Sequence, residues 1–566
     1  MRPALARRLP FLRWPRPSAA LLRGEALAGL SVGLMVIPQG VAYAQLAGMP
    51  LVTGIYASLL PALVAVLFSA SARLSVGPTA LTCLMVYASL APLATPGSAQ
   101  WVELAVWLAL LSGLLQVALG VFRFGWLLNL VNAPVLMAFT QAAAVLIIAS
   151  QLPALLGLRE GWQALPAAPR VDVPAAAFGL GALALLVAAR RWRPTLPAVL
   201  LIVLAAAALG WASDFEAHGG AVVGPLPGGL PALYLPGWPG WHLLGQLLLP
   251  TLVVTLVSFL ETASSAQVDN QRRGERWDQD QDLIGQGLAK MAAGLSGAFA
   301  TSSSFSRSAL NLYAGARSGW ATVFSVLVVL LALLVLTPLL RHVPQAVLAA
   351  IVVAAVLGLL KPGAFVRLWR VSRVEAVTAA VTFCVTLAAA PALYWGVLTG
   401  VLMSLSLFLY QRLHPRIIEV GLHADGSLRD RQLWQLPPLA PRTHALRMDA
   451  ALDFATGSAF ERHLTEQLAA TPPLRHVCLF AQPINRIDAT GAEVFVRVRA
   501  LLQARGVTLH LAGLKLPAEQ VLQAAGALAP HPLLRSYRTD AEALAALRAI
   551  AEAERALPPD LPAMAI

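Results

Sequence analysis

From Gly24 to Tyr410 the chain is built of apolar stretches, each about 20 residues long and parted by short polar breaks. A helix of that length rises about 30 Å, the thickness of a bilayer's hydrocarbon core. Hydrocarbon offers the backbone no hydrogen-bond partner, so such segments cross as helices. The stretches centre near Val36, Leu60, Leu84, Leu110, Val145, Ala182, Val203, Val254, Ala292, Leu310, Val328, Val353, Thr382 and Leu402. They predict an α-helical polytopic membrane protein of twelve to fourteen spans. Of the 566 residues, 58% are hydrophobic and 12% are charged. A water-facing domain needs about twice that share of charge.

Charge sets the expected orientation. Lys and Arg beside short loops stay in the cytoplasm. Arg73 follows span two, Arg123 span four, and Arg190, Arg191 and Arg193 span six. Arg272, Arg273 and Arg276 follow span eight, Arg317 span ten, and Lys361, Arg367, Arg370 and Arg373 span twelve. The opposite loops carry only Arg159, Arg170 and Arg341, and the stretch from Trp211 to Trp241 has no Lys or Arg. This alternation favours fourteen spans with both termini cytoplasmic, in a cell's inner (plasma) membrane. The net charge of +13 divides accordingly. Residues 412–566 hold 17 of the 41 basic and 15 of the 28 acidic residues, so +11 lies on the membrane part. Topology accounts for that excess without a nucleic-acid partner. Residues 1–23, with six arginines, read as a basic cytoplasmic arm, and 24–411 as the membrane domain. Residues 412–435 read as a linker, 436–556 as a small α/β domain and 557–566 as a terminal tail. In the α/β domain, strands are expected at Ala445 to Leu452, His476 to Phe480 and Thr508 to Leu511. Helices are expected at Ser458 to Leu468, Ala489 to Ala504, Pro517 to Ala525 and Asp540 to Arg555.

Span three opens with LSVGPTAL (Leu74 to Leu81) and span ten with TSSSFSRSALN (Thr301 to Asn311). Both are small, polar lead-ins to short apolar stretches, seven spans apart. Seven is odd, so the second unit runs inverted relative to the first. Interrupted segments at matching positions of two halves point to a transporter site at the midplane. Pro78 suits the first turn of a helix, and Ser302, Ser303 and Ser304 suit a cap. Two helix N-termini facing each other would hold an anion without side-chain charge.

Arg307 lies one turn into span ten, where a charge costs roughly 2.5–3.5 kcal/mol to insert. It reads either as positive potential for the anion or as a structural ion pair with Glu261. Glu261 ends the run TLVVTLVSFLE. It reads either as a carrier of a coupling proton or as a fixed counter-charge to Arg307 or Lys290. Gln39 and Tyr43, four residues apart in IPQGVAYAQLAG, share one helical face. Pro38 and Gly40 are expected to break that helix in its middle. In the tail, Asp488 of RIDATGAEVF can cap a helix, and Thr490 is an exposed hydroxyl in its first turn. Cys83, Cys384 and Cys478 read as buried structural thiols. No catalytic triad, phosphate loop or metal-ligand spacing is present, so neither enzyme, metal nor cofactor is indicated.

At these residues the chain resembles the SulP family, the sulfate permease and solute carrier 26 type of anion transporter. The resemblance rests on Ile37 to Leu81, on TSSSFSRSALNLYAGAR (Thr301 to Arg317) and on LTPLLRHVPQAVLAAI (Leu336 to Ile351). The tail resembles a STAS domain, the sulfate transporter and anti-sigma antagonist fold. The resemblance implies fourteen spans as two inverted seven-helix repeats, a core and a gate domain, an elevator-like motion and a homodimer. It implies an anion site lined by Gln39, Tyr43, Thr79, Ser304, Phe305, Ser306 and Arg307. Span eight is similar to the bicarbonate branch, which binds sodium with an acid there and a hydroxyl in span ten. Glu261 supplies the acid, but Phe305 stands where the hydroxyl would be. Thr490 matches the phosphorylated hydroxyl of anti-sigma antagonists, although Ala489 replaces the serine before it.

The function expected is secondary active transport of a small anion, sulfate first, with a proton through Glu261 as the candidate for symport. The alternatives are bicarbonate or dicarboxylate transport on the same fold, and an anion channel or a STAS-based signalling scaffold.

Overall fold

The computed structural model describes residues 9–556 except 131, 159–170, 193–196, 336 and 471–473. The first eight residues of the basic arm, Arg159, Arg170, Arg193 and the 557–566 tail lie outside the described residues. Contacts divide the chain into two units, Met1–Ser404 and Leu405–Ile566.

All fourteen expected centres fall in helices. These are α1 (Ala19–Leu46), α2 (Leu60–Phe68), α3 (Ala80–Leu90), α4 (Ala99–Val121), α5 (Ala133–Leu155), α6 (Val173–Trp192) and α7 (Ala198–Ala212). The second half holds α8 (Trp241–Arg273), α9 (Gln279–Leu295), α10 (Phe305–Tyr313), α11 (Trp320–Val335), α12 (Gln345–Leu357), α13 (Arg373–Ala388) and α14 (Tyr394–Leu413). Among the described residues, six of them are long and apolar enough to cross a membrane alone: α1, α4, α5, α6, α8 and α14. Serines start several of these helices. Ser18, Ser98 and Ser372 each accept a backbone N–H at the caps of α1, α4 and α13. Many outward residues are large and apolar, among them Leu180, Leu248, Leu331 and Phe408. Hydrocarbon tolerates such a surface where water would not.

The α1 helix runs unbroken through Pro38 and Gly40, contrary to the expected break. Gly40 serves close packing instead. The backbone of Gly54, in the short helix Thr53–Tyr56, lies against the Gly40 carbonyl with no room for a side chain between them. The same device joins α4 and α9. A methyl on Gly113 would come within 2.7 Å of the Gly287 carbonyl, and one on Gly287 within 2.6 Å of the Gly113 carbonyl. Packing sorts the helices into two groups. The α1 helix packs on α11, and α4 packs on α8 and α9, with α2 also against α9. In the other group α12 packs on α5 and α6, and α13 on α5. Cys83 is buried, but Cys384 points outward from α13, correcting the expectation that it is buried. An apolar stretch does not say which of its faces meets lipid.

Two strands interrupt the helices, β1 (Val76–Gly77) and β2 (Ser302–Ser303). The second unit holds β3 (Ile417–Leu422), β4 (Leu428–Asp430), β5 (Thr443–Met448), β6 (His476–Phe480), β7 (Thr508–Ala512) and β8 (Leu534–Tyr537). Its helices are α15 (Gly457–Ala470), α16 (Ala489–Ala504), α17 (Leu516–Ala524) and α18 (Asp540–Ala556). The sheet order is β4-β3-β5-β6-β7-β8. From β5 to β8 the pairing is parallel, and the β3–β4 hairpin adds antiparallel to β5. Period-two alternation splits the core between two faces. Leu446, Val477, Leu479, Leu509 and Leu511 face α15, α16 and α17, whereas Ala445, Cys478, Phe480 and Ala512 face α18. The stretch expected as a linker, 412–435, thus supplies two strands, β3 and the edge strand β4, and the strand expected to reach Leu452 ends at Met448. Glu419 and Gly421 interrupt the apolar pattern of β3, so its strand character depends on pairing with β5.

Candidate functional site

The two broken segments meet each other. β1 and β2 pair antiparallel, Val76 opposite Ser303 and Gly77 opposite Ser302. The Ser304 N–H donates to Ser75 O at 2.9 Å. Their backbones therefore satisfy one another rather than standing open, as the sequence had suggested. A helix begins just beyond each strand. Thr79 caps α3 by accepting from the Thr82 N–H at 3.3 Å, and Ser304 caps α10 by accepting from the Arg307 N–H at 3.4 Å. Antiparallel pairing sends the helices off in opposite directions, so their N-termini converge. Two partial positive charges meet there, and an anion suits them. Pro78 stands one residue before the cap rather than in the first turn of α3.

Arg307 is buried, 1% exposed. Its guanidinium lies along β1. Nη1 donates to Pro78 O at 2.9 Å and Nε to Ser75 Oγ at 3.3 Å. Nη2 is buried without a partner. Among the described residues, Arg307 forms no ion pair with Glu261. Glu261 is held by hydroxyls instead. Thr79 Oγ1 lies 3.0 and 3.2 Å from its two oxygens, and Thr82 Oγ1 donates at 3.0 Å. The acid of α8 is thus fastened to the cap and first turn of α3. Thr82 was missed from the sequence. Its three-residue offset from Thr79 was the available signal, because those positions share a helical face.

A cavity of about 460 Å³ opens beside α10. Gln39, Ser265, Phe305 and Ser306 line it, together with Arg190 and Ile351. Gln39 is 3% exposed and its Oε1 has no protein partner. Phe305 is exposed. Tyr43 lies one turn further along α1, in the hydrophobic core. The structure therefore brings Gln39, Phe305 and Ser306 to the cavity wall. It sets Thr79, Ser304 and Arg307 at the strand pair and Tyr43 in the packed core. Ser265, one turn beyond Glu261, and Arg190, whose Nη1 reaches Ala354 O at 3.4 Å, were not anticipated.

In the tail, Asp488 caps α16, accepting from the Gly491 N–H at 2.8 Å and from the Phe454 N–H at 3.1 Å. Thr490 is exposed in the first turn. An open groove of about 710 Å³, lined by Glu493, Arg497 and small apolar residues of α16 and α17, lies beside it.

Residues 22–382 match the model of the sulfate permease family, and residues 438–539 match the STAS domain. A Mycobacterium tuberculosis protein described as a probable sulfate transporter is 32% identical over 519 residues, spanning 90% of this chain and 92% of that one. A chloroplastic sulfate transporter of Arabidopsis thaliana is 29% identical, spanning 89% and 77%. Among solved structures, the murine solute carrier 26 family member A9 anion transporter, in its inward-facing state, superposes with a TM-score of 0.85 at 19% identity. That match covers 97% of this chain and 95% of the other. The transmembrane domain of a cyanobacterial bicarbonate transporter gives 0.58 at 20% identity, over 69% and 98%.

Proposed function

The chain belongs to the sulfate permease family, and from that membership and its paired half-helices we propose that it is a secondary transporter of a small oxyanion, sulfate first. The observation that carries this reading is the β1–β2 pairing, which sets the caps of α3 and α10 side by side with Arg307 against them. In this reading the anion takes its donors from the first-turn N–H groups of α3 and α10 that the caps leave free. The sulfate transporter descriptions of the relatives support the choice of anion. In this reading the N-terminus and the STAS domain are cytoplasmic, the protein sits in the cell's inner membrane as a homodimer, and the α1–α4/α8–α11 group moves elevator-like against the rest.

Glu261 carries the coupling proton. Its oxygens are bound by Thr79, the cap of α3, and by Thr82. A carboxylate there competes with an anion for the same positive helix end, and protonation removes that competition. Phe305, in place of a hydroxyl, supports a proton over sodium. Proteoliposomes loaded with the purified chain test this. Saturable uptake of labelled sulfate, driven by an inward proton gradient and insensitive to sodium, is expected. Glu261→Gln should retain sulfate exchange and lose the response to the gradient. Uptake that bicarbonate or fumarate suppresses far better than sulfate would replace the substrate, and conductance without saturable flux would replace the transport reading with a channel.

A further inference from the structure

Behind the half-helix pair sits a cation that this reading does not use. Lys290 of α9 is 0% exposed. Its Nζ donates to Gln116 Oε1 of α4 at 2.8 Å and to Ser258 Oγ of α8. Among the described residues, no carboxylate lies within 4.0 Å of it. Both of its partners are neutral, so hydrogen bonding alone could be met by a neutral side chain without the desolvation cost of an ion. The position of Lys290 shows what the charge can reach. The Ser258 carbonyl accepts from Ser302 Oγ of β2 at 3.0 Å. One turn earlier on α9, Gln286 Nε2 donates to Ser303 Oγ at 3.2 Å. Both side chains of β2 are therefore held from α8 and α9. Ser258 also lies three residues before Glu261, on the same face of α8. The ammonium is two hydrogen bonds from the strand whose end begins α10, and about one helical turn from the acid fastened to α3.

We propose that Lys290 is a specificity-determining positioning residue: it clamps β2 through Ser258, and its buried charge, which no carboxylate contacts among the described residues, tunes the anion centre toward divalent oxyanions. The inference rests on the anion-transport reading and adds a selectivity to it. A fixed unit charge interacts with an anion in proportion to the anion's own charge. At about 10 Å and an effective dielectric of about 20, it changes a monovalent affinity about 15-fold and a divalent one about 200-fold. A purely structural clamp would change both by the same factor.

The test is calorimetric binding of sulfate and of formate to the full-length chain in nanodiscs. Wild type is compared with Lys290→Gln, Lys290→Arg and Gln116→Glu. Lys290→Gln keeps a donor for Gln116 and Ser258 and removes the charge. Its loss of sulfate affinity should be about the square of its loss of formate affinity, and Lys290→Arg should restore the wild-type ratio. Gln116→Glu leaves the clamp in place and neutralises the ammonium; Gln116 Nε2 has no partner to lose. It should show the same valence-selective loss even if Lys290→Gln does not fold. Equal factors for the two anions, no change in either, or no binding by wild type would overturn the proposal. Sulfate uptake by the same preparations in vesicles tests transport separately, so binding with the expected ratio but no flux would count against the transport reading alone.

Discussion

Replacing Arg307 with methionine removes the guanidinium that joins α10 to β1. Two bonds are lost, Nη1 to Pro78 O at 2.9 Å and Nε to Ser75 Oγ at 3.3 Å. A hydrogen bond from a charged donor contributes about 1.5–3 kcal/mol, so the gross loss is about 3–6 kcal/mol. Two effects offset it. Nη2 is buried without a partner, a deficit of about 1–3 kcal/mol that methionine abolishes. Methionine also fills much of the same volume, which keeps the cavity term small. The net expectation is a strand pair weakened by about 2–3 kcal/mol. If β1 and β2 open locally rather than with the whole bundle, amides of residues 74–82 and 300–308 exchange roughly 30- to 150-fold faster. Hydrogen-exchange mass spectrometry on the full chain reads this directly. Arg307→Lys keeps the charge, but one ammonium cannot reach both Pro78 and Ser75, so it should fall between the two. Exchange in Arg307→Met within threefold of wild type would refute the argument, because Arg307 would then contribute charge without holding the strands.

Other regions give independent expectations. The Glu25 carboxylate accepts from the Arg317 N–H at 2.9 Å, Ser318 Oγ at 3.0 Å and the Ala321 N–H at 3.0 Å, at the start of α11. Glu25→Ala should cost about 2–4 kcal/mol, seen as a lower thermal midpoint in fluorescence-detected size exclusion, with Glu25→Gln recovering part of it. Gly54→Ala should prevent accumulation of folded protein, because its methyl meets the Gly40 backbone. Gly181→Ala, with nothing within 4 Å, should be neutral or stabilise by about 0.5–1 kcal/mol; membrane-fraction yields compare the two. In the STAS domain, burial lowers both His444 and His510 from the ordinary 6.5 to about 4. His463, Glu419 and Arg431 face the first, and His476 and Arg535 the second. Between those values the unfolded chain binds more protons than the folded one, so stability is full above pH 6.5 and falls as pH drops toward 4. At pH 5 each histidine costs about 2 kcal/mol relative to pH 7.5. Opening free energies of β5 and β7 from hydrogen exchange at the two pH values check this, and equal values would refute it.

The membrane part of the fold was legible because the relevant properties are local. A stretch of about 20 apolar residues is a span whatever it packs against, and α1 to α14 fall on the expected centres. The tail was legible to the same extent where period-two and helical patterns are strong, as in β6 and α16. It failed at β3 and β4, which form strands only because β5 gives β3 an edge to pair with and β3 gives one to β4. Pro38 shows the converse: a local signal for a break was overruled because α1 packs closely around Gly40 and runs on through it.

The candidate site divides along the same line. Gly77, Pro78 and Ser302 to Ser304 were recognisable as two broken segments, since small and polar residues between apolar runs are a one-dimensional pattern. Where each polar group finds its partner is set by residues far apart in the chain: Arg307 with Pro78, Glu261 with Thr79 and Thr82, Lys290 with Gln116 and Ser258. The sequence by itself determined a many-helix membrane protein with two matched interruptions and a small α/β tail. Only the tertiary structure decided that the interruptions pair as strands and that the buried acid and cations are held by neutral groups rather than by each other. The reason is that hydropathy sums along a segment, whereas a buried charge is stabilised by whichever dipoles the packed helices bring within about 3 Å of it.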